Sequence, residues 1–430
     1  MSRPLFALLS LALVATPAVF AQAPAAPKAV QPANAAQPAK APSLLDKSGN
    51  PAGFKTLELG APAPDFALPD VDGKVRKLSD FAGPDVLMVL FTSNHCPTSH
   101  GIEGRLLKLR NDYRGKSFTM LAINPNHPEG LSADELGYGE YSDSFEEMKP
   151  YAKKLGWDFP YLYDGDKQLT ARAYGCLATP HVFIFDKDRK LRYAGAFDDS
   201  RYAQDDTVKK HYARDAIDAL LAGKPVATDR TKPFGCSTKW REKHTSHIAK
   251  ETAWSQIPVT IEQTDAAGIA ALRANPTGKY RLFNVWATWC APCVEEFPAL
   301  VAISRKFGLR DFELVTISMD DPKQEKRAQA FLQKQGAGIV KKLQDTITKE
   351  GRKTNHYLYN AADQGALVAA LDPEWPGPIP HTVLVSPGGK IVWRHNGMIE
   401  QNAAIAAILE AMGNYYQPAP AAPAAVTKTD

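Results

Sequence analysis

The sequence predicts an α/β protein built as two domains in tandem, each a central mixed sheet flanked by helices. Three observations carry this expectation. The chain has 430 residues, enough for two or three domains of about 150 residues each. Two stretches repeat one order: an apolar strand running into a cysteine, a helical stretch, a second strand, then two strands after a Pro-His pair. Segments rich in Ala and Pro lie outside the two stretches, near either end of the chain. With 44% hydrophobic and 23% charged residues, the composition is that of globular protein and excludes a disordered chain, a collagen or a coiled coil. A net charge of +4 is too mild for a nucleic-acid-binding face, so no nucleic-acid partner is expected. Five cysteines are too few for a disulfide scaffold, and an odd number leaves at least one thiol unpaired or shared.

Residues 1–21, MSRPLFALLSLALVATPAVFA, join one basic residue, a short apolar run and a small-residue end at Ala21. This is the pattern of a cleavable secretory signal, and the run is too short to span a bilayer. No later stretch is long and apolar enough to cross a membrane, so the mature chain is expected to lack a transmembrane segment and to be periplasmic. Residues 22–53 read as an Ala/Pro-rich linker and 417–430 as a disordered tail of the same character. Between them lie a first domain at 54–240, a polar connector at 241–255 and a second domain at 256–416.

The elements follow in order. In the first domain, VLMVLF leads to Cys96, a helical stretch follows, FTMLAINPN (118–126) is the next strand, and Thr179-Pro180-His181 opens a hairpin across Asp186-Lys187-Asp188. In the second, RLFNVW leads to Cys290, a helix follows, then FELVTISMD (312–320), and Ile379-Pro380-His381 opens a hairpin across Pro387-Gly388-Gly389. Strand, helix, strand and a hairpin after a proline is the thioredoxin-fold order.

The sharpest motif is Trp289-Cys290-Ala291-Pro292-Cys293. A cysteine at a helix start faces free N–H groups and the positive dipole end, which favour a thiolate. A second one turn on is close enough to attack a mixed disulfide. Half of a zinc site would need a second ligand pair, and none follows. WATWCAPCVEEFP resembles the TlpA/ResA-like branch of thioredoxins. The resemblance implies that Cys290 attacks, Cys293 resolves, Trp289 flanks them, Pro380 is a cis-proline facing the dithiol, and Glu296 is an acid that tunes it. It also implies a DsbD-type membrane electron donor and no cofactor beyond the redox-active disulfide. Asn284, six residues before Cys290, stands where thioredoxin has a buried Asp.

The first domain carries Ser93-Asn94-His95-Cys96-Pro97-Thr98-Ser99. Two registers are open: Ser99 replaces a resolving cysteine after Cys96, or Ser93 and Cys96 form an S-x-x-C pair. NHCP, AINPNHPEG, ARAYGCLATPHVFIFDKDRKLRYAGAFDD and FGCSTKW together resemble the peroxiredoxin-like AhpC/TSA group. Pro180 is expected to be its cis-proline. Cys176 is the preferred partner of Cys96, and Cys236 the other candidate. Thr179-Pro180 occupies roughly the place of the peroxidase's activating arginine, which predicts slow reaction of Cys96 with peroxide. Arg105 and Arg172 are the candidate substitutes.

The leading functional expectation is an exported thiol–disulfide oxidoreductase that exchanges Cys290–Cys293 with protein disulfides as a reductant. One alternative is a Cys96 peroxidase fused to its own reductase. Another is a copper chaperone using His95, Cys96, His100 and His181, kept reduced by the second domain.

Overall fold

The two apolar runs that lead into Cys96 and Cys290 become central strands of two sheets. In a computed structural model, which describes residues 45–47 and 49–418, Val86–Phe91 is buried at every position. Helices cover both faces of its sheet, so the strand reads as a continuous apolar run rather than an alternation. The first sheet runs Tyr161–Tyr163, Phe118–Asn124, Val86–Phe91, His181–Phe185, Leu191–Gly195. Val86–Phe91 pairs in parallel with Phe118–Asn124 and antiparallel with His181–Phe185, with Phe91 opposite His181. The second sheet runs Glu262–Thr264, His356–Tyr359, Phe312–Ser318, Tyr280–Trp286, His381–Val385, Ile391–Asn396. Its centre repeats the pattern, with Val285 opposite His381. Apolar residues pack on both faces of each sheet. These are two thioredoxin-like domains. In the second, residues 340–375 supply the helix Lys341–Lys349, the strand His356–Tyr359 and the helix Gln364–Leu371, and that strand lies between Phe312–Ser318 and Glu262–Thr264.

Among the described residues, packing continues past the expected domain bounds. The expected signal at 1–21, most of the expected linker and most of the expected tail lie outside the described residues. The described end of that linker is packed, not free: Leu45 bridges Pro51, and buried Asn50 accepts a hydrogen bond from the Trp240 indole at 3.2 Å. The expected polar connector contains a helix, His244–Ser255, with Trp254 buried. Its Lys250 ammonium reaches the Asp134 carboxylate of the first domain at 2.6 Å, and its Glu251 accepts from Arg305 of the second at 2.9 Å. At the tail, Gln417 accepts from the Gln204 amide of the first domain at 3.2 Å.

Both domains fall within one compact unit. Arg310 of the second domain donates to the carbonyl of Gly137 in the first at 3.0 Å and to those of Gly413 and Met412 at 2.7 and 2.8 Å. Its guanidinium also lies 4.2 Å from the centre of the Tyr138 ring, a cation–π contact. The backbones meet closely here. A Cβ on Gly137 would lie 2.6 Å from the Lys306 carbonyl oxygen, so only glycine fits.

Candidate active site

Cys290 is the N-cap of the helix Ala291–Lys306, in extended conformation, and Pro292 lies in the first turn. Proline is tolerated there because the first helical N–H groups have no intrahelical partner. Cys290 and Cys293 are joined by a disulfide. Cys290 is 6% exposed and Cys293 is fully buried, while neighbouring Trp289 is 62% exposed. Cys290 is thus the outer member of the pair, beside a protruding indole. The Ile379–Pro380 bond is cis, and the Ile379 carbonyl oxygen lies 3.8 Å from the Cys290 sulfur.

Beneath the dithiol lies a buried carboxyl. Glu296 follows Cys293 by three residues, so both lie on the inner face of the helix. It accepts from the Asn284 amide and from the Ile399 N–H, each at 2.8 Å. Burial pushes its carboxyl above the usual range, against the opposing pull of those two bonds. Asn284 also donates to the Thr382 hydroxyl at 3.0 Å, and its own amide oxygen has no partner among the described residues. The acid implied by resemblance is thus the only carboxyl on that inner face: Glu295 is not buried.

The first domain repeats this geometry with different chemistry. Cys96 is the extended N-cap of the helix Pro97–Asp112, with proline following. Thr179–Pro180 is cis, and the Cys96 thiol donates to the Thr179 carbonyl at 3.0 Å. This settles the register: Cys96 stands where Cys290 does, and Ser99 stands where Cys293 does. Ser93 bonds the Thr179 hydroxyl at 2.9 Å instead. Six residues before and after Cys96 lie Leu90 and Ile102, both buried, in the places of Asn284 and Glu296. In the first domain Ser99 and Ile102 stand where the second has Cys293 and the buried carboxyl of Glu296.

Cys236 reaches the vacated surroundings of Cys96 from a separate segment. Residues Cys236–Ser237 pair antiparallel with Ala178–Thr179, which places the Cys236 N–H 3.4 Å from the Cys96 sulfur. Burial pushes the Cys96 thiol up. The Cys236 thiol and N–H, His95 and the Ser99 N–H outweigh that and hold it well below the usual thiol range. Cys236 responds in the opposite sense: its hydrogen bond to Cys96, then burial, push it well above.

The preference for Cys176 as the partner is therefore corrected. Cys176 is fully buried among apolar side chains, its thiol donating to the Ala178 carbonyl at 3.3 Å, and burial pushes it up to about 12. Proximity in sequence to Pro180 misled, because the antiparallel pairing at Thr179 brings Cys236 to the sulfur.

The histidines are engaged separately. His95 Nδ1 lies 2.6 Å from the Asp143 carboxylate, and its buried Nε2 has no partner among the described residues. His100 spans the carbonyls of Asn94 and Asn414 at 2.7 and 2.6 Å. His181 Nδ1 accepts from the Leu177 N–H at 3.3 Å. Among the described residues no group of three or more His, Cys, Asp or Glu could hold a metal ion, so the four proposed copper ligands are not gathered into a site. Arg105 pairs with Asp198 at 2.6 Å and Arg172 with Glu242 at 2.5 Å, so each guanidinium is engaged by another carboxylate, and neither is among the main influences on the Cys96 thiol.

Asp143 was not foreseen. It accepts from the Asn94 N–H at 2.7 Å and from the Asn126 amide at 2.7 Å besides meeting His95. In sequence, Ser142-Asp143-Ser144 reads as a helix cap, and Ser144 does cap the helix Phe145–Leu155. The polar Asn124 and Asn126 at the end of an apolar strand were the available sign that a buried carboxylate waits there.

Comparison with known proteins gives two matches to one family. The model of the AhpC/TSA family matches residues 59–194 and 255–394. The thiol-disulfide oxidoreductase ResA of Geobacillus thermodenitrificans is 25% identical over 136 residues, 32% of this chain and 68% of that protein. The thiol:disulfide interchange protein DsbE of Allochromatium vinosum is 35% identical over 74 residues, 17% of this chain and 38% of its own. A solved structure of an uncharacterized conserved protein from Geobacillus kaustophilus is 40% identical, with a TM-score of 0.39, covering 44% of this chain and 94% of its own.

Proposed function

Since the chain belongs to the AhpC/TSA family, with that domain present twice, we propose that it is an exported thiol–disulfide oxidoreductase whose second domain reduces protein disulfides in the cell envelope. One observation carries the reading: the Cys290–Cys293 pair at a helix start, with Cys290 outermost, Trp289 exposed and the Ile379 carbonyl beside the sulfur. The relatives named as thiol-disulfide oxidoreductases support it.

In the reduced enzyme, the Cys290 thiolate attacks one sulfur of a client disulfide and releases the other as a thiolate. The Cys293 sulfur then attacks Cys290 and frees the second client sulfur. Two client sulfurs are reduced, and the enzyme dithiol becomes the disulfide. Glu296, one helical turn from Cys293, takes the proton that Cys293 gives up, since burial raises its carboxyl above the usual range and makes it a stronger base. Two electrons from a membrane donor of the DsbD type regenerate the dithiol. Residues 1–21 supply the export signal and place the enzyme in the periplasm.

A Cys293→Ala variant tests this reading. It can attack a client but cannot release it, so mixed disulfides through Cys290 accumulate and are identified by mass spectrometry. If envelope proteins are trapped no more by this variant than by one that also lacks Cys290, the reading fails.

A further inference from the structure

We propose that Cys96 and Cys236 form a second dithiol centre, which cycles between thiols and a disulfide by exchange with a small disulfide, and that the strap Gly413–Gln417 closes it. The centre lies in the first domain and does not depend on the role given to Cys290 and Cys293.

The inference starts from what replaced the helix pair. Ser99 stands where the resolving cysteine would be, and among the described residues its buried hydroxyl has no hydrogen-bond partner. The second sulfur comes instead from Cys236, whose thiol and N–H both meet the Cys96 sulfur. The two thiols are driven apart in acidity, Cys96 down and Cys236 up. That is the division of labour a dithiol needs: one sulfur ready as thiolate to attack, the other held protonated until its neighbour is engaged. His95, held by Asp143 at 2.6 Å with Nε2 unpartnered among the described residues, is among the groups that favour the Cys96 thiolate.

Access is restricted. Cys96 has no exposed surface and Cys236 is half-buried. The chain after the last helix crosses this region. The Asn414 carbonyl meets His100 at 2.6 Å, and the Tyr416 ring packs edge-on against Tyr138 at 5.3 Å, with Arg201 5.5 Å from its centre. Burial pushes the Tyr416 hydroxyl up to about 12, and Cys236 and Cys96 both add to that shift, so the hydroxyl lies within electrostatic reach of the two sulfurs. Movement of this short segment opens the centre without disturbing either sheet.

The step balances with glutathione disulfide as the oxidant. The Cys96 thiolate attacks one glutathione sulfur, forming a mixed disulfide and expelling one glutathione thiolate. The Cys236 sulfur attacks Cys96 and expels the second. The two protons from Cys96 and Cys236 end on the two glutathione thiols, so one disulfide is reduced and one is formed.

The test uses the full chain with Cys290→Ser and Cys293→Ser, which removes the other dithiol. After treatment with glutathione disulfide, peptide mapping is expected to show Cys96 linked to Cys236, no retained glutathione, and Cys176 still free. Adding Cys236→Ser is expected to leave one glutathione on Cys96. Cys96 linked to Cys176, retained glutathione with Cys236 present, or no reaction overturns the centre. In the same background, Tyr416→Ala is expected to speed oxidation about tenfold or more by uncovering the thiol, while Tyr416→Phe keeps the ring and the slow rate. Equal rates for all three, or fast oxidation of the Phe variant, overturn the closure by the strap.

Discussion

Glu296→Gln separates proton transfer from packing at the second-domain dithiol. The carboxyl is 3% exposed and bonded at both oxygens, by Asn284 and by the Ile399 N–H. Glutamine keeps the shape but has one acceptor, so its amino group must face one of two donors. Asn284 cannot relieve this. Among the described residues its amide oxygen has no partner, and its amino group serves both Glu296 and the Thr382 hydroxyl. Turning that amide over would offer its oxygen to the new glutamine N–H but would move its own amino group to the buried place that holds no acceptor. One buried donor is stranded either way, so the variant should be less stable than the wild type by about 1–3 kcal/mol. The pH dependence has a definite sign. Folding raises this carboxyl's affinity for a proton, so its contribution is fully present below the unfolded carboxyl range and is lost as pH rises through the raised folded value. Relative to the Gln variant, the wild type therefore loses stability as pH rises through that window, read as the difference in Tm across a pH series. The rate of protein-disulfide reduction should fall about 10²–10⁴-fold, the usual worth of a positioned acid or base, and its pH profile should flatten. An insulin-reduction assay on both proteins measures this. A Gln variant with unchanged rate and profile would refute Glu296 as the proton acceptor.

Two further outcomes follow from the geometry. In reduced protein near neutral pH, Cys290 should be alkylated before Cys293, Cys176 and Cys96, since it alone of these has exposed sulfur-bearing surface at a helix start; timed alkylation with peptide mapping reads the order, and earlier modification of Cys293 would reverse the assigned roles. Arg310→Ala removes hydrogen bonds to Gly137, Gly413 and Met412 and the contact with Tyr138. At about 1.5–3 kcal/mol for a hydrogen bond to a charged group, the domains should loosen while each sheet stays folded, seen as faster limited proteolysis between them with unchanged secondary-structure content.

The fold was legible because its strongest signals are local. Each central strand is apolar throughout and ends at a cysteine that starts a helix, and each hairpin follows a Pro-His pair, so periodicity and punctuation agree over the same stretch. The Cys290–Cys293 pair was legible for the same reason, since three residues of spacing fix both sulfurs on one helical turn. Cys236 was legible only as the second candidate partner of Cys96, because its approach depends on one antiparallel pairing at Thr179 between segments far apart in sequence. The helix in the connector was hidden by its polarity: His244–Ser255 exposes most of its surface and is held by ion pairs to both domains and by buried Trp254. The same reasoning explains why the domains look alike at their cysteines yet differ beneath them. Helix starts and proline corners are dictated by the backbone, so both copies keep them. The buried side chains below are free to change together, and Leu90 and Ile102 put apolar groups in the first domain where the second has Asn284 and the buried carboxyl of Glu296. A thiol pair there must be tuned by other means, and the donors that surround Cys96, from Cys236, Ser99 and the helix start itself, are those means.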